Sequence, residues 1–202
     1  MNEELIYHQQ LVPHSRTELV AVLRDQLSQH RFEHVLRVEQ TAIKLAQQNN
    51  VNLEKASIAG LVHDYAKQRP DQDFITVIKD KQMDPELLNY GNAIWHGIVG
   101  AELIKTELGI WDEDILNAVR HHTTGATIMS KLEQVIYMAD YIEPGRNFAG
   151  VQQARQVTNQ SLQAGVSFQT KQTLQYLIGQ NKAIYPKTIA TYNAWVAVNG
   201  GN

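Results

Sequence analysis

The chain has 202 residues, a net charge of −3 at neutral pH and no cysteine, and 43% of its residues are hydrophobic. This length suits one hydrophobic core, and the small negative charge excludes the broad basic surface that would attract nucleic acids or anionic membranes. The lack of cysteine excludes disulfides and thiolate metal sites, so His, Asp and Glu are the only strong protein ligands available to a metal.

No apolar stretch approaches the length of a membrane span. The first ten residues, MNEELIYHQQ, include two acids and have no apolar run that would suit a signal peptide. No later segment contains the roughly 18 uninterrupted apolar residues of a transmembrane helix. We therefore expect a cytoplasmic protein that binds neither a nucleic-acid polymer nor a membrane.

Apolar residues recur at helical spacing along almost the whole chain, whereas strict alternation over strand lengths is scarce. Ser15 and Glu18 form a capping-box pattern ahead of a first apolar stripe that runs from Leu19 to Leu27. Asn, Gly and Pro signals separate the later segments. The pattern predicts further helices over residues 31–48, 53–67, 71–81, 84–90, 93–107, 112–122, 130–142, 150–180 and 187–198.

The predicted fold is therefore all-α, a single domain of residues 1–202 built as a bundle of about eight to ten helices. We expect a metal-binding core over about residues 15–148, with C-terminal helices over about 150–198 packed on it. These C-terminal helices are rich in Gln and have almost no His or acidic residues. They could form the interface of a homodimer.

Five helical segments each place an imidazole or a carboxylate among apolar residues. Such buried polar groups are costly without a partner, and a shared metal centre would satisfy all of them. The set offers six donors, which is more than the four ligands of one tetrahedral site, so it favours two ions. Nitrogen and oxygen ligands suit iron, manganese, cobalt, nickel or zinc. The set comprises His34, His63, Asp64, His96, one or both of His121 and His122, and Asp140. The other histidines, His8, His14 and His30, stand in polar context and predict no site.

The adjacent pair His63 and Asp64 can serve both ions. Neighbouring residues on a helix diverge by about 100°, so this pair can chelate one ion between their directions. The second oxygen of Asp64 would then reach the other ion, which makes Asp64 the bridging ligand. The remaining ligands would come from facing helices, as in other helical-bundle metal sites.

The order of these residues resembles the HD-domain metal-dependent phosphohydrolases. The segments HDYAK, HGIVGAE, RHHTTG and YMADYIEPGR resemble the YqeK type, the symmetrical bis(5'-nucleosyl)-tetraphosphatases, over roughly residues 15–185. In that family the motif histidine directly precedes Thr-Thr-Gly, which selects His122 and leaves His121 as a supporting or structural residue. The resemblance implies an HD domain with His34, His63, Asp64 and Asp140 around one ion and Asp64, His96 and His122 around the other.

The same resemblance implies an activity. The expected reaction is cleavage of diadenosine tetraphosphate at its centre to give two molecules of ADP. The expected cofactors are two divalent or mixed-valence ions, iron before manganese, cobalt, nickel or zinc, bridged by the attacking hydroxide. Two ions about 3.5–4 Å apart suit this chemistry because they can hold both the nucleophile and the phosphate.

Four residues near the predicted ligands could bind phosphate. Lys67 lies three residues after Asp64, on the same helix face, and Arg146 follows EPG in a loop that can turn back over the site. Thr123 and Thr124 offer hydroxyl and backbone donors. A surface charge, a polar loop residue or a helix end would explain each of them equally well. We predict Asp64 and Lys67 as catalytic residues, and Lys67, Thr123, Thr124 and Arg146 as substrate-binding residues.

Two other functions are compatible with these residues. The first keeps the metal site but changes the substrate, as in a nucleotidase, a cyclic-nucleotide phosphodiesterase or a guanosine alarmone hydrolase. Alarmone hydrolases tend to carry acidic residues shortly after the His-Asp pair, whereas Tyr-Ala-Lys follows here. The second is a non-catalytic nucleotide-binding helical protein whose cluster is structural or holds one ion.

Overall fold

The structure is a computed structural model that describes residues 5–197, and within this range it contains eleven α-helices and no strand. The all-α prediction is confirmed, with slightly more helices than expected. No helix of this range combines the length and the apolar character that crossing a bilayer requires. The helices are α1 (Arg16–Gln26), α2 (Gln29–Asn49), α3 (Leu53–Val62), α4 (Asp71–Asp80), α5 (Asn92–Ile98), α6 (Gly100–Glu107), α7 (Glu113–His121), α8 (Lys131–Ile142), α9 (Val151–Gln160), α10 (Leu162–Gly179) and α11 (Pro186–Tyr192).

Two predicted helices are each divided in two. The predicted 150–180 helix breaks at Ser161, which is extended (φ −157°, ψ 124°) and accepts the Ala164 N–H to cap α10. The predicted 93–107 helix is interrupted at Val99, between α5 and α6, although the Val99 backbone stays helical. These two breaks add two α-helices to the predicted set, and one predicted helix is a 3-10 helix instead, which gives eleven.

Three other segments differ from a regular α-helix. Residues 84–90 form a 3-10 helix, Pro85–Asn89, instead of an α-helix. The segment predicted over 187–198 begins as α11 and continues as a π-helical turn, Asn193–Ala197; residue 198 lies outside the described range. The predicted 53–67 helix ends at Val62, and single turns then follow, with the Lys67 N–H donating to the Asp64 carbonyl at 2.9 Å. Lys67 therefore keeps its predicted i to i+3 relation to Asp64.

The main hydrophobic cluster joins α1, α2, α3, α7 and α8 with the C-terminal helices. Ala154 of α9 and Leu162 and Val166 of α10 belong to this cluster, so these helices pack on the same core as the rest. A smaller cluster around Phe74 and Trp95 fills the space between α4, α5 and α6. The single domain over residues 1–202 stays a prediction, and residues 1–4 and 198–202 lie outside the described range.

Helices α2 and α3 pack backbone against backbone at Gly60. A Cβ atom on Gly60 would lie 2.9 Å from the Cα and 3.2 Å from the amide nitrogen of Glu39, which is closer than packed atoms approach. This contact matters for the site because α2 carries His34, and His63 and Asp64 follow the end of α3.

We expect Gly60→Ala to lower the free energy of unfolding by about 1–3 kcal/mol, because two helix backbones would have to separate. Urea denaturation of the metal-free protein measures this change. Gly179→Ala is the matched control, since no atom lies within 4 Å of its added Cβ and alanine is the better helix former. Equal stability of the two variants would contradict the proposed packing constraint.

Candidate metal centre

Six side chains that the sequence predicts as metal ligands lie together in the structure. Each comes from an α-helix or from the residues directly after one, and all except Asp140 are almost completely buried. Asp140 is partly exposed, so the cluster opens to solvent on its side. The six are His34 on α2, His63 and Asp64 after α3, His96 on α5, His122 after α7 and Asp140 on α8.

Asp64 lies at the centre of this cluster and faces it with both oxygens. Its Oδ2 atom is 3.6 Å from His34 Nε2 and 3.7 Å from His63 Nε2. Its Oδ1 atom is 3.5 Å from His96 Nε2 and 3.8 Å from His122 Nε2. One carboxylate thus joins two groups of imidazoles, which is the arrangement of a bridging ligand.

The cluster contains three sets of three residues, and within each set the donor atoms lie within 4.8 Å of one another, as ligands of one ion must. Asp140 also approaches the first group, with its Oδ1 atom 3.1 Å from His34 Nε2. We call His34, His63 and Asp140 the His34 half, and His96 and His122 the His96 half; Asp64 belongs to both. The three sets are His34–His63–Asp64, His63–His122–Asp140 and Asp64–His96–His122.

The Nδ1 atoms of all four histidines point away from the centre and contact oxygen acceptors at 2.6–3.1 Å. Carbonyl and carboxylate oxygens only accept, so Nδ1 carries the proton and Nε2 presents a lone pair to the centre. Histidine ligands of metals are held in this way in general. The acceptors are the Gly60, Asn92 and Val119 carbonyls and the Glu143 carboxylate.

Two of these inward lone pairs lack donors of their own, and the other two face each other. The Nε2 atoms of His34 and His63 are buried without a hydrogen-bond partner. His96 Nε2 and His122 Nε2 lie 3.0 Å apart although neither carries a proton. A cation resolves both problems because it accepts all of these lone pairs, so the donor set fits a metal.

Burial favours the neutral form, which metal binding requires, in three of the four imidazoles. Burial lowers the pKa of His63 to about 4 and that of His96 to about 3. Burial also lowers the pKa of His122. These side chains therefore release no proton when an ion binds near neutral pH.

The HD domain family profile matches residues 31–145, which is more than half of the chain and includes all six clustered residues. Two curated relatives extend this similarity to almost the full length. Both are named bis(5'-nucleosyl)-tetraphosphatase, symmetrical. The chain belongs to the HD-domain family.

The relative from Bacillus subtilis (strain 168) is 41% identical over 179 residues, which are 89% of this chain and 96% of the relative. The relative from Halalkalibacterium halodurans is 39% identical with the same coverage. Among solved structures, a predicted HD superfamily hydrolase involved in NAD metabolism from Clostridium acetobutylicum superposes with a TM-score of 0.86 at 36% identity. That match covers 92% of this chain and 98% of the other, so the two proteins share one fold over almost their whole length.

Close contact between α5 and α7 brings the two histidines of the His96 half together. A Cβ atom on Gly97 would lie 3.1 Å from the Val119 carbonyl and 3.3 Å from His122 Cε1. Glycine therefore lets α5 approach α7 closely enough for His96 to meet His122.

Three cations lie at the edge of the cluster in the HD protein. Lys67 Nζ is 3.2 Å from both ring nitrogens of His96, and burial lowers its pKa. Arg146 donates to the Asp140 carboxylate and, at 2.8 Å, to the Asp140 carbonyl. Arg31, which sequence reasoning missed, donates to Asp64 Oδ2 at 2.6 Å. Its position three residues before His34, on the same face of α2, was the available signal.

The two predicted threonines are placed differently. The Thr123 hydroxyl lies 3.1 Å from His96 Nε2 and 3.0 Å from His122 Nε2, within the cluster. Thr124 is buried, and its hydroxyl donates to the Gly125 carbonyl at 3.1 Å. Its only hydroxyl proton is thus used by the turn, so this placement does not support the predicted role of Thr124 in substrate binding.

His121 turns away from the cluster. Its Nδ1 atom lies 2.6 Å from Glu133 Oε2, on the far side of the turn that brings His122 inward. The Glu133 carboxylate also completes a capping box at the start of α8 with Ser130. His121 therefore links α7 to α8 and contacts none of the six clustered side chains in the described structure.

Glu143 supports the His34 half and was missed by sequence reasoning. It is buried, and its carboxylate accepts from His34 Nδ1 at 3.1 Å and from Arg37 Nε at 2.7 Å. It lies three residues after Asp140, directly after the end of α8, which was the only sequence signal. Its contact orients the His34 ring and keeps Nε2 aimed at the centre.

We expect Glu143→Gln to weaken metal binding about 10–100-fold. Glu143 accepts from His34 with Oε1 and from Arg37 with Oε2, and glutamine replaces one of these oxygens with an NH2 group that cannot accept. Titration of the metal-free protein with cobalt(II), followed by visible absorption, measures the affinity. Glu133→Gln is the control, since Glu133 makes an equivalent contact to His121 outside the cluster. Equal cobalt(II) affinities in both variants would show that Glu143 does not orient a ligand.

Proposed function

We propose that this HD protein hydrolyses diadenosine tetraphosphate at the middle of its phosphate chain and releases two molecules of ADP. One observation carries the proposal: Asp64 joins two groups of imidazoles in a chain about 40% identical to curated symmetrical tetraphosphatases. Membership of the HD family and the His/Asp cluster together indicate a divalent-metal-dependent hydrolase that acts on a small molecule.

We propose that the cluster holds two divalent or mixed-valence ions, with iron preferred over manganese, cobalt, nickel or zinc. Asp64 would contact both ions, the His34 half would hold one and the His96 half the other. When bound, the ions supply positive charge to the phosphate oxygens and activate water. The carboxylates and neutral imidazoles of this chain fit all of these metals.

The cations at the edge of the cluster would bind the phosphate chain. Each phosphate carries negative charge, and Arg31, Lys67 and Arg146 contact Asp64, His96 and Asp140 in turn, at the edge where the scissile phosphate would have to approach. Arg31 and Arg146 offer planar guanidinium donors to phosphate oxygens, and Lys67 offers a mobile ammonium. The Thr123 hydroxyl can donate to the same phosphate. We assign catalytic roles to Asp64 and Lys67 and substrate-binding roles to Arg31, Lys67, Arg146 and Thr123.

Product analysis tests this function directly. Purified metal-loaded protein is incubated with diadenosine tetraphosphate and, separately, with mononucleotides and cyclic nucleotides. Two equivalents of ADP per substrate support the proposal. Release of AMP with ATP, or activity on mononucleotides alone, refutes it and favours another HD-type nucleotide phosphohydrolase.

The sequence also predicts a cytoplasmic location and a homodimer, and both stay predictions. Sedimentation velocity of the purified protein tests the homodimer. A monomer at micromolar concentration would remove the role suggested for the Gln-rich C-terminal helices.

A further inference from the structure

The segment that follows α8 supports the site in two ways. It carries Glu143, whose carboxylate orients His34, and Arg146, whose guanidinium binds Asp140. The carbonyls at the end of a helix have no donor within that helix, so this segment needs partners from elsewhere. We call residues 142–146 the α8 exit.

Arg155 of α9 supplies these partners. Its Nε atom donates to the Ile142 carbonyl at 3.0 Å, and one terminal nitrogen donates to the carbonyls of Glu143 at 2.8 Å and Arg146 at 3.0 Å. One guanidinium thus contacts both ends of the α8 exit. Three donations in fixed directions suit arginine, because its planar group presents several N–H groups in a rigid fork.

Arg155 lies outside the part of the chain that defines the family. The HD profile ends at residue 145, whereas α9 spans Val151–Gln160. Ala154, the neighbour of Arg155, is buried in the main hydrophobic cluster, so α9 is firmly seated. Arg155 therefore connects the C-terminal helices to the segment that supports the site.

We propose that Arg155 is a positioning residue for the reaction, and this rests on the proposed function. It holds the backbone of the α8 exit so that Glu143 meets His34 while Arg146 lies against Asp140. Loss of the guanidinium frees three carbonyls and lets the exit rotate, which would misplace both side chains at once. The effect belongs to the His34 half, since the α8 exit has no contact with His96 or His122 among the described hydrogen bonds.

The surroundings of Arg155 make it suitable for substitution. It borders a cleft of about 280 Å³ that is lined in part by Gln40, Thr41, Lys44 and Asn159. Water can enter this cleft and bind the freed carbonyls, which limits the cost of removing the guanidinium. We therefore expect a variant at this position to fold.

The test compares Arg155→Met and Arg155→Lys with Arg120→Met. Arg120 also makes three side-chain hydrogen bonds, but these end on Glu102, Glu113 and Asn117, outside the cluster. Cobalt(II) titration of each metal-free protein measures affinity, steady-state kinetics with diadenosine tetraphosphate give kcat and KM, and thermal unfolding reports stability.

For Arg155→Met we expect one of the bound equivalents of cobalt(II) to weaken at least about tenfold while the other keeps its affinity. We also expect kcat to fall and KM to rise, because Arg146 is displaced too. Arg155→Lys should recover part of the affinity, since it retains a donor. Arg120→Met should lower only the thermal stability.

Unchanged cobalt(II) affinity and kinetics in Arg155→Met, with only a lower melting temperature, would overturn the proposal and leave Arg155 as a helix cap. If that variant does not fold, Arg155→Lys decides: wild-type cobalt(II) affinity in the folded lysine variant would equally overturn it. Should the wild-type protein not release ADP from diadenosine tetraphosphate, the proposed function fails. The cobalt(II) titration still shows whether Arg155 positions the ligands.

Discussion

Asp64→Asn is expected to lower the rate of ADP release by at least about 10³-fold, because several kcal/mol of transition-state stabilisation depend on the ions that Asp64 would hold. Both oxygens of Asp64 face imidazoles, one toward each half of the cluster. Asparagine keeps the shape but presents an amide nitrogen to one half and removes the negative charge. Arg31 also loses the carboxylate that it contacts at 2.6 Å.

Elemental analysis of protein purified without chelators gives the second readout for this variant. We expect about two metal equivalents in the wild type and fewer than one in Asp64→Asn. Asp114→Asn is the control, since Asp114 is largely exposed and pairs with Lys55, away from the cluster. An Asp64→Asn protein that retained two metals and wild-type turnover would disprove the bridging role.

His96→Ala is expected to lose one of the two ions and keep the other. His96 Nε2 lies beside Asp64 Oδ1 and His122 Nε2, so its removal leaves the second ion with only two of its proposed ligands. The His34 half keeps all of its donors. We expect about one metal equivalent and at least about a hundredfold loss of turnover, because positioning of both reacting oxygens needs both ions.

His121→Ala is the matched control for His96→Ala. His121 is adjacent to His122 in sequence, but its imidazole pairs with Glu133 outside the cluster. It should retain both ions and near wild-type turnover, although loss of the Glu133 contact can lower stability. Two ions and full activity in His96→Ala would refute the assignment of the second site.

Metal content and activity together also separate an enzyme from a non-catalytic binding protein. A structural cluster would lose stability in Asp64→Asn and His96→Ala, but it would have no turnover to lose. A site with one ion would show about one equivalent in the wild type and no stepwise loss in His96→Ala. Only the dinuclear enzyme predicts turnover together with a graded metal content. That content is about two equivalents in the wild type, about one in His96→Ala and fewer than one in Asp64→Asn.

Helix positions were largely predictable because apolar periodicity reports which face of a segment is buried. The capping box of Ser15 and Glu18 forms as predicted and begins α1 at Arg16. Breaks inside long segments were not predictable, since the Gln-rich sequence continues in helical periodicity across Ser161. The local hydrogen bond from Ala164 to Ser161 ends one helix and begins the next.

The supporting residues of the site could not be recognised in the sequence. Arg31 and Glu143 each lie three residues from a predicted ligand, but this spacing does not show which atoms they contact, and Arg155 has no such signal. Their roles arise from neighbours far away in the chain, such as Asp64 for Arg31 and His34 for Glu143. Thr124 shows the converse, because it follows Thr123 directly yet the turn directs its hydroxyl to Gly125.

The sequence by itself determined the all-α class, the absence of thiolate ligands and the ordered set of histidines and aspartates that indicates a metal site. These properties depend on residue type and local periodicity, which a single sequence contains in full. Only the tertiary structure decided that the two oxygens of Asp64 face different imidazoles, and that Arg155 reaches the α8 exit. Both depend on distances between segments that are remote in sequence, and those distances are set by the packing of whole helices against one another.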